Sequence, residues 1–399
     1  MAKIVTDKDK INEFLNSRYL EAVFPSKEKA EELMESGKQM IFYLGIDPTG
    51  PSIHLGHTIP LLLLKHLAEL GHKIILLIGD FTARIGDPTD KEAARTALSK
   101  KDVEQNMKTY VGQAKKIFGE VDFEVKHNSE WLGKMSFADV IKLTSHATVQ
   151  QMIIRDMFQE RIKKEKPIFV HEFLYPLMQG YDSVAMKVDG EVGGNDQTFN
   201  MLVGRDLEKE YLGKEKIVFA TKLLVDSATG KKISKTEGGF IAVSDSPEDV
   251  FGKTMKSVPD EMIKTVFELC TEKPQEWIND WQERVNKGGN PKDFKEELAY
   301  ELVRMYHGEK EAQRAKENFE KVFSGGQLPE NINEFKIDGA MTIVNVLQES
   351  GMVLFASEAK RLIDQKAVEI NGKTVDDWGM QVESGNIIKI GAHRFLKIK

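Results

Sequence analysis

The sequence predicts an α/β fold: a mostly parallel sheet interleaved with helices, then an α-helical region, then a small α+β unit. Three observations predict it. Short apolar runs rich in β-branched residues alternate with longer helical patterns through the first 225 residues or so, as in successive βαβ units. Polar clusters flanked by glycine follow those runs, at the carboxyl ends where such sheets bind ligands. The last 60 residues carry two helical patterns followed by three short strand-like runs.

The elements come in order. "QMIFYLGID" (39–47) and "HKIILLIGD" (72–80) read as buried strands, continuous and apolar, each closing on Gly and Asp. Between them "HTIPLLLLKHLAELG" is a helical pattern stopped by Gly71, with Pro60 early enough to anticipate a kink. A third strand is expected at 121–131, a fourth at "DSVAMKVDG" (182–190) and a fifth at 216–226. A Gly- and Lys-rich loop, "DSATGKKISKTEGG" (226–239), closes this region, and the pattern is helical to about residue 325. "SGGQLPENINEFKIDG" (324–339) reads as a linker, rich in Gly, Pro and Asn without periodicity. "AVEING", "NIIKIG" and "RFLKIK" are the strands of the last unit. The expected division is a sheet domain at 1–230, a loop and helical domain at 231–325, a linker at 326–338 and a small domain at 339–399.

Composition excludes several classes of function. At 399 residues with 41% hydrophobic and 30% charged residues, the chain is an ordinary globular protein of more than one domain. No apolar run approaches the ~20 residues of a membrane span, and "MAKIVTDKDK" lacks the apolar region of a signal peptide. Cys270 is the only cysteine, so no intrachain disulfide or Cys-rich zinc site is possible, and a reduced, cytoplasmic setting is expected. A net charge of −7 argues against coating nucleic acid non-specifically. The tail is the less acidic part: residues 341–399 hold 8 Lys+Arg against 7 Asp+Glu, net +1, leaving −8 for the rest.

Four clusters carry chemistry. In "HLGH", His54 and His57 lie three apart around Gly56, where a helix N-terminus already offers N–H groups and a positive dipole end. Two imidazoles there suit a transferring phosphoryl group, and Gly56 lets a flat ligand approach. Taken alone the tetrapeptide reads more readily as surface histidines near a turn, while a metal site lacks partners at ligand spacing. In "KKISKT", Lys232 and Lys235 on a glycine-flanked loop can reach nucleotide phosphates, or simply be a solvated basic turn. Tyr175, Gln179 and Asp182 fall within ~60° on one helix face amid apolar neighbours, so their polar groups need partners, which a ligand can supply. In "GGNDQ" (193–197), two glycines let a ribose lie on the backbone, Asp196 can accept from its hydroxyls, and Gln197 can reach a carboxylate or phosphate.

In this order the clusters resemble a class I aminoacyl-tRNA synthetase, with HLGH and KISKT as its two signature motifs. "YLGIDPTGPSIHLGH", "IGDFTARIGDPT", "YPLMQGYDS" and "GGNDQ" are similar to the bacterial tyrosyl-tRNA synthetase family specifically, and the last 60 residues to an S4-type RNA-binding module. The resemblance implies a Rossmann-like catalytic domain, an α-helical tRNA-binding domain and an S4-like domain. It implies that Tyr43 and Asp182 hold the phenol hydroxyl of tyrosine, that Tyr175, Asp87 and Gln179 hold its ammonium, and that Gln197 sits by the carboxylate. Gly56, Gly194, Asp196 and Lys235 are implied in ATP binding. His54, His57, Lys232, Lys235 and Thr236, with Lys91 and Arg95 on a second loop, are implied in stabilising the transferring and leaving phosphates. Lys360, Arg361, Lys366 and Arg394 are the tail residues expected at tRNA phosphates.

Departures accompany it. Glu191 stands where some relatives carry Gln, KISKT has Ile second and Thr last, and Lys366 replaces a residue that is often glycine. The activity implied is tyrosine–tRNA ligation, with ATP as substrate, Mg2+ carried on the phosphates and no dedicated metal site, L-tyrosine and tRNA(Tyr) as partners, and a homodimer. Its rivals are the tryptophanyl relative, which normally lacks the S4-like tail and which the Tyr43/Asp182 pair opposes, and an RNA-binding protein that kept the fold without the activity, which the intact motifs oppose.

Overall fold

The computed structural model describes residues 4–89, 98–225, 240–325, 333–337, 339–353, 355–391 and 394–399. The chain forms two compact units: residues 1–235, 242–244 and 264–282 in one, residues 236–241, 245–263 and 283–399 in the other.

The first unit is built on a six-stranded sheet of β1 (Leu20–Phe24), β2 (Ile41–Ile46), β3 (Lys73–Ile78), β4 (Glu124–His127), β5 (Gly190–Gly194) and β6 (Ile217–Thr221), ordered β1-β6-β5-β2-β3-β4. β2 to β6 are parallel, and β1 runs antiparallel along β6 at the edge. β3 and β6 are buried on both faces almost throughout, which is why they read as unbroken apolar runs. The chain steps outward from β2 to β3 and β4, then returns to lay β5 on the other side of β2. Strand order therefore reverses between β2 and β5, opening a crevice beyond their carboxyl ends.

The helix Leu55–Glu69 joins β2 to β3 and continues through Pro60. Its row of buried leucines, Leu61 to Leu64, shows that it is enclosed on all sides.

One expected strand is a helix. Residues 182–190 do not form the fourth strand: Tyr175–Met186 is helical, Lys187 ends it in the left-handed region, and the strand is Gly190–Gly194. A helix buried on most of its surface shows the same apolar density as a strand, and "GEVGG", with three glycines, carries no strand signal of its own. Gly190 is glycine because a Cβ there meets the Phe42 ring of β2 at 2.5 Å.

The second unit packs helices Pro247–Ser257, Pro291–His307 and Glu309–Gly325 against one another. Ser246 caps the first, accepting from the Asp249 N–H, with Pro247 in the first helical position. The tail follows, with helices Ile343–Glu349 and Ala356–Asp364.

Its strands are β7 (Asn333–Phe335), β8 (Met341–Thr342), β9 (Val368–Ile370), β10 (Lys373–Thr374), β11 (Gln381–Val382), β12 (Ile387–Ile390) and β13 (Arg394–Ile398). They form a sheet ordered β10-β9-β12-β13-β7 and a β8–β11 pair. Their core holds Ile343, Val346, Leu347, Ile363, Val368, Ile370, Ile388 and Leu396, with Leu362 half-buried beside it.

β7 falls inside the stretch read as linker. It pairs in parallel with β13, Leu396 opposite Asn333 and Ile398 opposite Phe335. Three residues with a partner some sixty positions later leave no local periodicity to find.

Candidate active site

The HLGH tetrapeptide forms a reciprocal cap. His54 is the N-cap of the helix Leu55–Glu69, its Nδ1 accepting from the Gly56 N–H at 3.1 Å, while His57 Nδ1 accepts from the His54 N–H at 3.3 Å. The rings stack with centroids 3.7 Å apart. A ring nitrogen that accepts carries no proton, so each imidazole keeps its proton on Nε2 and presents that N–H as a donor. Gly56 makes the stack possible: a Cβ there lies 3.2 Å from His54 Cε1. The histidine spacing thus caps a helix at its N-terminus, the end whose dipole favours an anion.

The helix Tyr175–Met186 supplies the second wall. Asp182, 2% exposed, accepts from Trp131 Nε1 at 2.7 Å and from Asn128 Nδ2 at 3.3 Å. Tyr43, in the middle of β2 and fully buried, bonds Ser183 Oγ at 2.9 Å rather than Asp182. Tyr175 donates to Asp47 Oδ2 at 2.8 Å, and Asp47 Oδ1 accepts from Thr82 Oγ1 at 2.7 Å. Burial pushes the Asp182 carboxyl and the Tyr43 and Tyr175 phenols well above their usual ranges. The Glu191 charge adds to this at Tyr43, and that of Asp47 at Tyr175.

A chain of amides continues from this wall toward the end of β5. Gln179 donates to Glu191 Oε1 at 3.2 Å, and Asn200 donates to the carbonyl oxygens of Gln179 and Gln197, both at 3.0 Å. Gln197 donates to Asp87 Oδ2 at 2.6 Å, and Thr89 holds Asp87 Oδ1 through its N–H at 2.9 Å and its hydroxyl at 2.7 Å. Arg155 bonds Thr89 Oγ1 at 2.9 Å and lies 4.4 Å above the Phe199 ring. Its burial pulls the guanidinium down to about 10, against the pull of Asp87. Gly194 and Asp196 stand where β5 ends, so close that a Cβ on Gly194 meets Asp196 Oδ1 at 2.5 Å.

Of the residues singled out in the sequence, Tyr43, His54, Gly56, His57, Asp87, Tyr175, Gln179, Asp182, Gly194, Asp196 and Gln197 all belong to the sheet unit. Lys91, Arg95, Lys232, Lys235 and Thr236 lie outside the described residues. In the tail Lys360, Arg361 and Lys366 are exposed, Lys360 lying 4.9 Å above the Trp378 ring. Lys366 adopts φ 55°, the left-handed conformation that glycine takes without cost. Arg394 is engaged within the chain: its Nη1 donates to the Met352 carbonyl at 2.9 Å and its Nε lies 3.3 Å from Asp249 Oδ1.

Sequence reasoning missed Asp47, Asn128, Trp131, Ser183, Asn200 and Lys216. Asp47 sits in the quoted "GIDPTG" and Ser183 beside Asp182, so position offered a hint for both. Trp131 and Lys216 gave none, since their partners are 51 and 25 residues away.

Known proteins resemble the chain along nearly its whole length. The model of the tRNA synthetases class I (W and Y) family matches residues 34–324 and that of the S4 domain residues 341–388. A tyrosine–tRNA ligase of Carboxydothermus hydrogenoformans is 44% identical over 389 residues, 94% of each chain. That of Thermotoga maritima is 43% identical over 376 residues, 93% of each chain. Among solved structures, a C-terminally truncated mitochondrial tyrosyl-tRNA synthetase of Coccidioides posadasii superposes with TM-score 0.64 at 24% identity, covering 77% of this chain and 91% of that one. The Archaeoglobus fulgidus tyrosyl-tRNA synthetase complexed with L-tyrosine gives TM-score 0.59 at 21% identity, covering 78% and 100%. At those identities the two structures share its fold.

Proposed function

The chain belongs to the class I tRNA synthetases of the W and Y family, and on that premise we infer that it is a tyrosine–tRNA ligase. It activates L-tyrosine with ATP to tyrosyl-adenylate and transfers the tyrosyl group to the 3′-terminal ribose of tRNA(Tyr). The observation that carries the choice of amino acid is the pairing of a buried acceptor, Asp182, with a nearby buried hydroxyl, Tyr43. A phenol hydroxyl needs one group to accept its proton and another to donate to its oxygen, whereas an indole N–H needs only the acceptor.

In the first step the tyrosine carboxylate attacks the α-phosphorus of ATP, a P–O bond forms, and the bond to the bridging oxygen of pyrophosphate breaks. In the second a ribose hydroxyl of tRNA attacks the activated carbonyl and releases AMP. Neither step needs a side-chain nucleophile, so the protein contributes position and charge. On this reading Asp182 and Tyr43 take the phenol, Tyr175, Gln179 and Asp87 the ammonium, and Gln197 the carboxylate. Gly56, Gly194 and Asp196 take the nucleoside. His54 and His57 donate to the phosphates from Nε2, joined by Lys232, Lys235, Thr236, Lys91 and Arg95. Mg2+ rides on the phosphates. The exposed Lys360, Arg361 and Lys366 meet tRNA phosphates, and Arg394, held by Asp249, orients that surface. Charging of tRNA with tyrosine, tryptophan and phenylalanine in parallel tests the assignment, and a preference for tryptophan overturns it.

The working protein is a homodimer on this reading. Phe137, Ile141, Val149, Ile154 and Val170 are 55–81% exposed within one stretch of 34 residues, an apolar surface of the kind subunits bury. A second copy covers it. Phe137→Glu together with Val170→Glu should yield a monomer by light scattering, and an unchanged mass refutes that interface. Among the described residues no helix is long and apolar enough to cross a membrane. We assign the enzyme to the cytoplasm, where its tRNA is charged.

A further inference from the structure

Lys216 immediately precedes β6, and its side chain is fully buried. Its ammonium donates to Ser183 Oγ at 2.7 Å, pairs with the Glu191 carboxylate on β5, and lies 5.8 Å from the centroid of the Tyr43 ring. Glu191 in turn accepts from Gln179. The space is made by Gly204 on the neighbouring helix, where a Cβ falls 2.6 Å from the lysine Nζ. Taking an ammonium out of water is costly, and a hydrophobic residue of the same length fills such a space without that cost. A lysine here therefore asks for a role beyond packing.

Hydrogen-bond polarity supplies one. An ammonium only donates, so Ser183 Oγ accepts from Lys216. The serine hydroxyl proton must then go elsewhere, and among the described residues the other oxygen bonded to Ser183 Oγ is the Tyr43 hydroxyl, 2.9 Å away. Ser183 thus donates to Tyr43, and Tyr43 must send its own proton onward. Ser183 Oγ keeps a second lone pair, but accepting from an ammonium polarises its O–H and favours donation to Tyr43; without Lys216 that bias is gone and Tyr43 can turn its proton back to Ser183. Asp182, one residue along the same helix and already receiving Trp131 and Asn128, is the fixed acceptor of the pair.

We propose that Lys216 is a specificity-determining positioning residue. Through Ser183 it fixes Tyr43 as a donor toward the amino-acid side chain, so the pocket selects a terminal group that accepts from Tyr43 and donates to Asp182. The proposal rests on the tyrosine reading above. It also gives Glu191 a role: its carboxylate neutralises the lysine whose protons set the direction, which a glutamine in the same place does less well.

The test is pyrophosphate exchange with tyrosine and with phenylalanine, resolved into kcat and KM. Lys216→Met alone strands the Glu191 charge and can fail to fold, so the comparison is Lys216→Met/Glu191→Gln against Glu191→Gln. Removing the lysine should raise KM for tyrosine about tenfold, the scale of one hydrogen bond, with kcat within about threefold and phenylalanine kinetics unmoved. Ser183→Ala should lower the tyrosine/phenylalanine ratio likewise, and adding Lys216→Met/Glu191→Gln to it should change the ratio no further. A double variant that keeps the ratio of Glu191→Gln, in a wild-type background selective for tyrosine, overturns the role of Lys216 alone. Equal losses for both amino acids also overturn it, since they mark a structural ion pair. A wild-type enzyme that activates no tyrosine removes the pocket reading itself.

Discussion

Replacing Asp182 by Asn tests the pocket with the smallest change in shape. The carboxylate accepts at both oxygens, from Trp131 Nε1 at 2.7 Å and from Asn128 Nδ2 at 3.3 Å. An amide can serve only one of these donors, and its NH2 group must face the other. Asn128 cannot turn to help, because its Oδ1 is held by the Phe81 N–H at 2.9 Å and its Nδ2 also donates to Thr82 Oγ1 at 3.0 Å. One buried donor therefore loses its partner, at a cost of about 1–3 kcal/mol in unfolding free energy. The bound phenol meanwhile exchanges a charged acceptor for a neutral one, a loss of about 1–2 kcal/mol on typical values for the two kinds of bond.

The variant should thus activate tyrosine roughly 5- to 30-fold less efficiently, at ~1.4 kcal/mol per tenfold, while phenylalanine, which offers no hydroxyl, changes little. Pyrophosphate exchange with each amino acid reads the ratio, and urea denaturation reads the stability. Equal losses in kcat/KM for both amino acids would mean that Asp182 serves Trp131 and Asn128 only, and the reasoning fails.

Three further predictions concern other parts of the chain. His54→Ala removes one Nε2–H donor from the phosphate position and should slow adenylate formation by ~10²-fold with tyrosine affinity nearly unchanged in equilibrium binding, because the interaction belongs to the transition state. A chain ending at Gly325 should keep pyrophosphate exchange and lose tRNA charging, with a shallower dependence of tRNA binding on salt; the cut precedes Asn333 because β7 pairs with β13, and parallel loss of both activities would refute it. Glu208, fully buried with both oxygens lacking a partner among the described residues, is pushed by burial up to about 7 from an ordinary 4.5. Its folded form holds the proton more tightly, so its contribution to stability is whole below pH 4.5 and is lost as pH rises to about 7, some 3 kcal/mol in all. Glu208→Gln should remove that slope in urea titrations between pH 4.5 and 8, and an unchanged slope would refute the assignment.

The sequence by itself determined what is local. The helix start at HLGH is legible because two imidazoles and one glycine follow a turn-rich run, whereas the reciprocal cap they make is seen only in the folded segment. Tyr175, Gln179 and Asp182 share a helix, as their spacing anticipates, because periodicity is a property of the segment. The alternation of motifs with apolar runs was enough for β2, β3 and β6, since parallel strands buried on both faces must be apolar, while β1 lies outside the expected strands and β5 starts only where the stretch expected as the fourth ends.

Tertiary structure decided every matter of partnership. Only the placement of β2 beside the helix Tyr175–Met186 gives Tyr43 to Ser183 rather than to Asp182. Only the adjacency of β5 and β6 turns Lys216, indistinguishable in sequence from a surface lysine, into a buried ion pair with Glu191. The same holds for β7, whose three residues become a strand because β13 offers them a free edge. Hydrogen-bond partners and burial depend on residues tens to hundreds of positions apart, and a window a few turns long holds no information about who stands on the other side.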